Sequence, residues 1–213
     1  MKQVILMADI VKSSDQEGGA LMDVFSGLVD QVNSQFAKNI LSPMTITLGD
    51  EFQGVVDTLS TAAEIIFEMD EQCLCSVPAF RLRYVIQWGE IDTPVNRSSA
   101  HGMLGKGLTS AREQLDNMKK GDQEITVRGY DGVLGDELGL AFQLYRAFYN
   151  DWPEKDRMIA FDFIHLRDYK ILAEQYNKDA STMWRKERSL RMKDFYASRS
   201  LIKLLTEHAG NHH

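Results

Sequence analysis

The chain has 213 residues, 44% hydrophobic and 26% charged, with a formal net charge of −7. That is an ordinary globular composition, long enough for one or two domains and a real core. A helical membrane span is not expected, since no apolar run approaches the roughly 18 residues required, and the short, quickly acidic "MKQVILMADI" does not read as a signal peptide.

The charge is uneven. Residues 153–213 hold 12 Lys and Arg against 9 Asp and Glu, a net of +3, which leaves −10 for residues 1–152. Such asymmetry hints at an acidic module joined to one that tolerates an anionic partner. The two cysteines, Cys73 and Cys75, are one residue apart and point differently on a strand or a helix. A mutual disulfide is therefore not expected, and a reducing cytoplasm fits.

In chain order, Gln3–Asp9 reads as a short buried strand ending in Asp9. Leu21, Phe25, Leu28, Val32, Phe36 and Ile40 recur at steps of three and four, which predicts an amphipathic helix from about Asp15 to Leu41. "TITLGDEFQGVV", Thr45–Val56, reads as strand, turn and strand with Gly49 and Asp50 at the tip; Glu51 is expected on the opposite side of the strand, solvating the turn. Thr58–Leu74 reads helical, Arg81–Trp88 alternates as a half-buried strand, and Gly102–Gly107 is a glycine-rich turn. A helix over Leu108–Met118 closes on Lys119, Lys120 and Gly121, cations and a cap suited to its C-terminus. A strand at "EITVRG", a connecting helix over Leu138–Trp152, a break at Pro153 and a nearly all-helical remainder complete the chain.

The order β-α-β-β-α-β, then helix and strand, is the ferredoxin-like split βαβ arrangement of an α+β fold. It predicts an α+β domain over about residues 1–128, followed by a helical connector and an all-helical domain over residues 129–213. In such a sheet the first strand and the hairpin lie side by side, so Asp9 and Asp50 would converge at one end. Hard oxygen ligands so placed suit Mg²⁺ or Mn²⁺, together with substrate phosphates. The backbone of Ile10, with Lys12, Ser13 and Ser14 opening onto a helix, could hold those phosphates.

"MADIVKSS" followed by "TLGDEFQGV" resembles the paired metal-binding motifs of the nucleotidyl cyclase palm, shared by adenylyl and guanylyl cyclase catalytic domains and GGDEF domains. "LRYVIQWGEI" and "GMLGKGLTSAREQL" continue the likeness, which covers roughly residues 1–128. The whole chain resembles the SatD family of bacterial proteins, which join such a region to a C-terminal helix-turn-helix. The resemblance implies metal ligation by Asp9 and Asp50 and a catalytic Arg112 stabilising charge on phosphate. The pattern departs at Leu108 (asparagine expected), Ile46 (a purine-reading lysine expected) and Lys12 (glycine expected).

The second informative stretch is "LAEQYNKDASTMWRKER", which resembles a bacterial helix-turn-helix. Ile171, Leu172 and Tyr176 give the first helix its apolar face; Asn177 can take a left-handed conformation to stop it. Asp179 or Ser181 then caps the second. Ala180–Thr206 reads as one helix with seven Lys and Arg against two acids. Ser181, Thr182, Arg185 and Lys186 would read base edges, and Arg188, Arg191 and Lys193 would meet phosphates. A homodimer would present two half-sites.

Three readings follow: a cytoplasmic bacterial regulator that couples a metal-dependent nucleotide site to DNA; a working metal-dependent nucleotidyl cyclase or transferase; and an interaction protein with neither activity.

Overall fold

The computed structural model describes residues 1–12 and 18–210. Five strands form one sheet in the order β2-β3-β1-β4-β5. They are β1 (Lys2–Ile10), β2 (Ile40–Ile46), β3 (Glu51–Val56), β4 (Leu82–Glu90) and β5 (Ile125–Arg128). The first four are antiparallel, and β5 adds parallel to β4. With α1 (Gly18–Gln35) after β1 and α2 (Leu59–Cys75) after β3, this is the expected split βαβ order. The fifth strand follows α3 (Lys106–Met118).

Alternation along β1 divides the molecule into two cores. Val4, Leu6, Ala8 and Ile10 face the larger one, with Phe25 of α1 and Ile65, Ile66 and Phe67 of α2. Ile5 and Met7 face the smaller one, under Leu108, Ala111 and Leu115 of α3. Asp9 continues the second series. The center of the sheet is therefore apolar on both faces, and the charge enters only at the end of β1.

Several segment boundaries differ from the sequence reading. The first helix stops at Gln35, not near Leu41, and Ile40 opens β2 opposite Val56. Asn33 pins the irregular start of β2: its Oδ1 accepts from Met44 N at 2.7 Å and its Nδ2 donates to Met44 O at 2.9 Å. The connecting helix, α4 (Leu134–Asp151), begins earlier than predicted. The long C-terminal helix is two helices, α7 (Ala180–Ser189) and α8 (Met192–Gly210). Arg191 between them has φ 54°, and the Trp152 indole takes the Leu190 carbonyl at 2.9 Å, where a continuous helix would need it.

After a short 3-10 turn at Glu154–Asp156 come α5 (Arg157–Leu166) and α6 (Tyr169–Gln175), and a four-residue turn leads into α7. Asn177 in that turn is left-handed, φ 50°, as its side chain allows. The C-terminal helices are not tethered at a distance. Phe163, Leu172, Phe195 and Ile202 belong to the same core as the sheet and α2. Arg199 of α8 pairs with Glu71 of α2, and His165 Nε2 of α5 lies 3.3 Å from the other oxygen of that carboxylate. Cys73 and Cys75 are both free thiols. Among the described residues, no helix is long and apolar enough to cross a membrane.

Candidate functional site

Strand register builds the site. Asp9 sits opposite Glu51 on one side and Arg83 on the other. Directly opposed residues share a face, so Glu51, Asp9 and Arg83 form a row across β3, β1 and β4 beneath α3. Arg83 Nη1 contacts both Asp9 oxygens, at 3.0 and 2.9 Å. From the C-cap of α3, Lys119 Nζ reaches Asp9 at 3.5 Å and Asp116 at 3.1 Å. Arg112, from the middle of α3, pairs with Glu51 at 2.5 Å, and the Thr47 hydroxyl donates to the same carboxylate oxygen at 2.6 Å.

Glu51 corrects the sequence reading: it is 2% exposed, as is Asp9, and it points inward rather than solvating the turn. Arg83 and Lys119, to which the resemblance assigns no role, complete the row and its cap. The cluster still reaches solvent, because the Lys119 and Arg112 side chains are 43% and 33% exposed. Burial pushes the Asp9 carboxyl up to about 6; Arg83 and Lys119 oppose this, and nearby Asp50 adds to it. Burial also pulls on Lys119, but Asp116 and Asp9 leave its ammonium raised overall.

The other expected residues fall as follows. Asp50 stands next to the row at the hairpin tip, partly exposed, and its carbonyl accepts from Ile10 N at 2.9 Å. The Ile10 N–H, expected to face a phosphate, is thus already bonded, and Val11 N donates to Arg81 O at 2.9 Å. Lys12 is exposed with φ 57°, a left-handed backbone at the position where the resemblance implies glycine. Ser13 and Ser14 lie outside the described residues. Leu108, where an asparagine is implied, is buried in the core beneath α3 and brings no polar group to the face.

The donor chemistry at Asp9 and Asp50 suits Mg²⁺ or Mn²⁺, but Arg83 holds the cation's place on Asp9. An ion would enter there only in exchange for the guanidinium. Among the described residues, no three His, Cys, Asp or Glu side chains converge as a ready ligand set.

On α7, Ser181, Thr182, Arg185 and Arg188 are exposed. Arg188 lies over the Trp184 ring, 4.8 Å from its centroid. Two of the expected cations are already engaged. Lys186 Nζ pairs with Asp156 at 3.0 Å, and Arg191 pairs with Asp194 at 3.0 Å while lying over Phe148.

The sequence model of the SatD family matches residues 3–138. No curated protein matches the chain. Among solved structures, a bacterial light-regulated adenylyl cyclase aligns at TM-score 0.42 and 9% identity, over 59% of this chain and 74% of that one. The catalytic core of a rhodopsin-guanylyl cyclase with converted specificity, in complex with ATPalphaS, aligns at 0.41 and 13%, over 59% and 76%. The monomeric guanylyl cyclase domain of the RhoGC fusion protein from the aquatic fungus Blastocladiella emersonii aligns at 0.35 and 13%, over 59% and 80%.

Proposed function

We propose that this protein, which belongs to the SatD family, is a nucleotide-responsive regulator: the face beneath α3 binds a nucleotide through its phosphates, and the α6–α7 pair contacts DNA as a helix-turn-helix. The row of Glu51, Asp9 and Arg83, capped by Arg112 and Lys119, carries the first half of this reading. Buried charge is costly, and a structural role would favor sealing it. This cluster instead opens at the end of the sheet, with two partly exposed cations at its rim.

Arg112, Lys119 and Lys12 are the groups that would meet phosphate oxygens. Asp9 and Asp50 would hold a divalent ion that replaces Arg83, and its chemistry would be to neutralize phosphate charge. Arg112 must leave Glu51 to reach a phosphate, and Leu108 offers no polar partner beside it, which favors binding over turnover. The test is thermal stability with ATP, GTP and cyclic dinucleotides, each with and without Mn²⁺. A rise of several degrees that Asp9→Ala lacks supports the reading; no shift with any nucleotide sinks it. Steady turnover of a triphosphate would favor the enzyme reading instead.

The DNA half rests on the exposed Ser181, Thr182, Arg185 and Arg188 of α7. Because Lys186 is tied to Asp156, the variant that tests it is Arg185→Ala with Arg188→Ala. Duplex affinity should fall about tenfold, and wild-type binding should weaken steeply with salt. Unchanged affinity would remove DNA from the reading. A homodimer would supply the second half-site. Coupling requires that the nucleotide favor one arrangement of the two parts; α8, packed on both α2 and α4, provides the mechanical connection.

A further inference from the structure

A cavity of about 270 Å³ lies where α2, α4 and α5 meet the segment entering β4. Leu74 of α2, Phe80 and Arg81 ahead of β4, Tyr149 and Asn150 of α4 and Arg157 of α5 line it. The Arg81 carbonyl accepts from Val11 N at 2.9 Å, so the cavity stands at the same end of the sheet as Asp9. It is on the other face, however: Leu74, Phe80 and Tyr149 belong to the larger core, whereas α3 covers the smaller one.

Two guanidinium groups serve this one space, and among the described residues no Asp or Glu lines it. Both reach solvent: the Arg81 side chain is 39% exposed, and Arg157 is half-buried. Arg81 gives Nη1 to Glu124 at 2.9 Å, which leaves most of its five N–H donors for another acceptor. Arg157 has no hydrogen bond or ion pair with another described residue. Its charge is nonetheless felt at the cavity wall. Burial pushes the Tyr149 phenol up, and Arg157 joins Arg146 in opposing that rise.

Two like charges on one cavity repel each other and are stabilized by an anion between them. The apolar side chains of Leu74 and Phe80 lower the local dielectric, so that attraction is screened less than on an open surface. Paired guanidinium forks match the several oxygens of a phosphoryl dianion better than they match a single carboxylate. A bare phosphate would leave part of the space unfilled. We propose that this cavity binds the phosphoryl group of a small ester, held by Arg81 and Arg157, with the organic part against Leu74 and Phe80. Such a ligand would tie the sheet, through Arg81, to the C-terminal helices, through Arg157.

The full chain is titrated calorimetrically with ribose 5-phosphate, glycerol 3-phosphate, inorganic phosphate and ribose. EDTA is present, because the site beneath α3 calls for a divalent ion and this one does not. At least one ester is expected to saturate at one per chain and to weaken as salt rises, and ribose is expected not to bind. Inorganic phosphate binding as tightly as the esters would support the same phosphoryl chemistry with the free anion as its source. Arg157→Gln, which breaks no bond to a described residue, should weaken binding at least tenfold, and Arg81→Gln should do the same. Arg112→Gln should leave this affinity unchanged, which separates the cavity from the face beneath α3. No saturable binding of either ester, ribose binding as well as its phosphate, affinity indifferent to both cavity variants, or loss in Arg112→Gln instead would overturn the proposal.

Discussion

Replacing Arg146 with methionine is expected to lower the unfolding free energy by about 3–5 kcal/mol at neutral pH, the cost of leaving a buried charge without its partner. The stranded charge is Asp70, fully buried on α2. Tyr84 and Tyr145 donate to its two oxygens at 3.0 Å each, and the Tyr149 hydroxyl bonds its main-chain carbonyl at 2.9 Å. Arg146 lies against the Tyr84 and Tyr149 rings and supplies the only cation in contact with Asp70 among the described residues. Without it, two phenols face a carboxylate that has lost both water and counter-ion.

The pH dependence identifies the mechanism. Burial pushes the Asp70 carboxyl up from 3.8 to about 6, and Arg146 is the first of the groups opposing that rise. Between those values the folded state binds more protons than the unfolded one. The contribution of Asp70 is thus fully present below 3.8 and lost as pH climbs through about 6, on the order of 3 kcal/mol across the window. Arg146→Met removes the main opposing charge, so the Asp70 pKa rises further and the loss continues toward neutrality. The deficit relative to wild type should be small at pH 4.5 and largest near pH 7.5, as read from urea midpoints at each pH. Asp70→Asn with Arg146→Met should abolish that difference. A deficit equal at both pH values would mean that packing, not charge, is the cause.

That network illustrates what a single sequence conceals. The strands were legible because alternation and turn residues are local, and the split βαβ order followed from them. Asp70 and Arg146 were not, because a buried ion pair breaks the apolar stripe of both helices and resembles a solvated face until the partner is known. Glu51 was misassigned for a related reason: Gly49, at φ 89°, and Asp50 belong to the turn, so the inward and outward count begins at Glu51. Arg83 was visible in "RLRYVIQW" as an alternating residue, but only the register with β1 places it on Asp9. The break at Leu190 and Arg191 has no glycine or proline to announce it; a tryptophan from the end of α4 imposes it.

The glycines of "GMLGKG" show the same limit at a place that bears on function. Read locally, they are turn residues, and Gly102, at φ 81°, is one. Gly107 has another role: a Cβ there would stand 2.7 Å from Gly89 C, 2.8 Å from Gly89 Cα and 2.9 Å from Glu90 N, all backbone atoms of β4 that cannot rotate aside. Gly89 meets Gly107 in return, its own Cβ falling 2.5 Å from Gly107 Cα. Two glycines therefore set how closely the first turn of α3 lies on the sheet, and α3 carries Arg112 and Lys119 to Glu51 and Asp9. Gly107→Ala must lift that turn, at a cost of about 1–3 kcal/mol for overpacking. Gly121→Ala, where nothing lies within 4 Å, is the control and should stay within about 0.5 kcal/mol of wild type. Lifting that turn also draws Arg112, which follows it on α3, away from Glu51, so any nucleotide-induced thermal shift should shrink in Gly107→Ala and persist in Gly121→Ala. Equal stability of the two variants would mean that α3 can move freely over the sheet, and the row beneath it would then have no fixed cap.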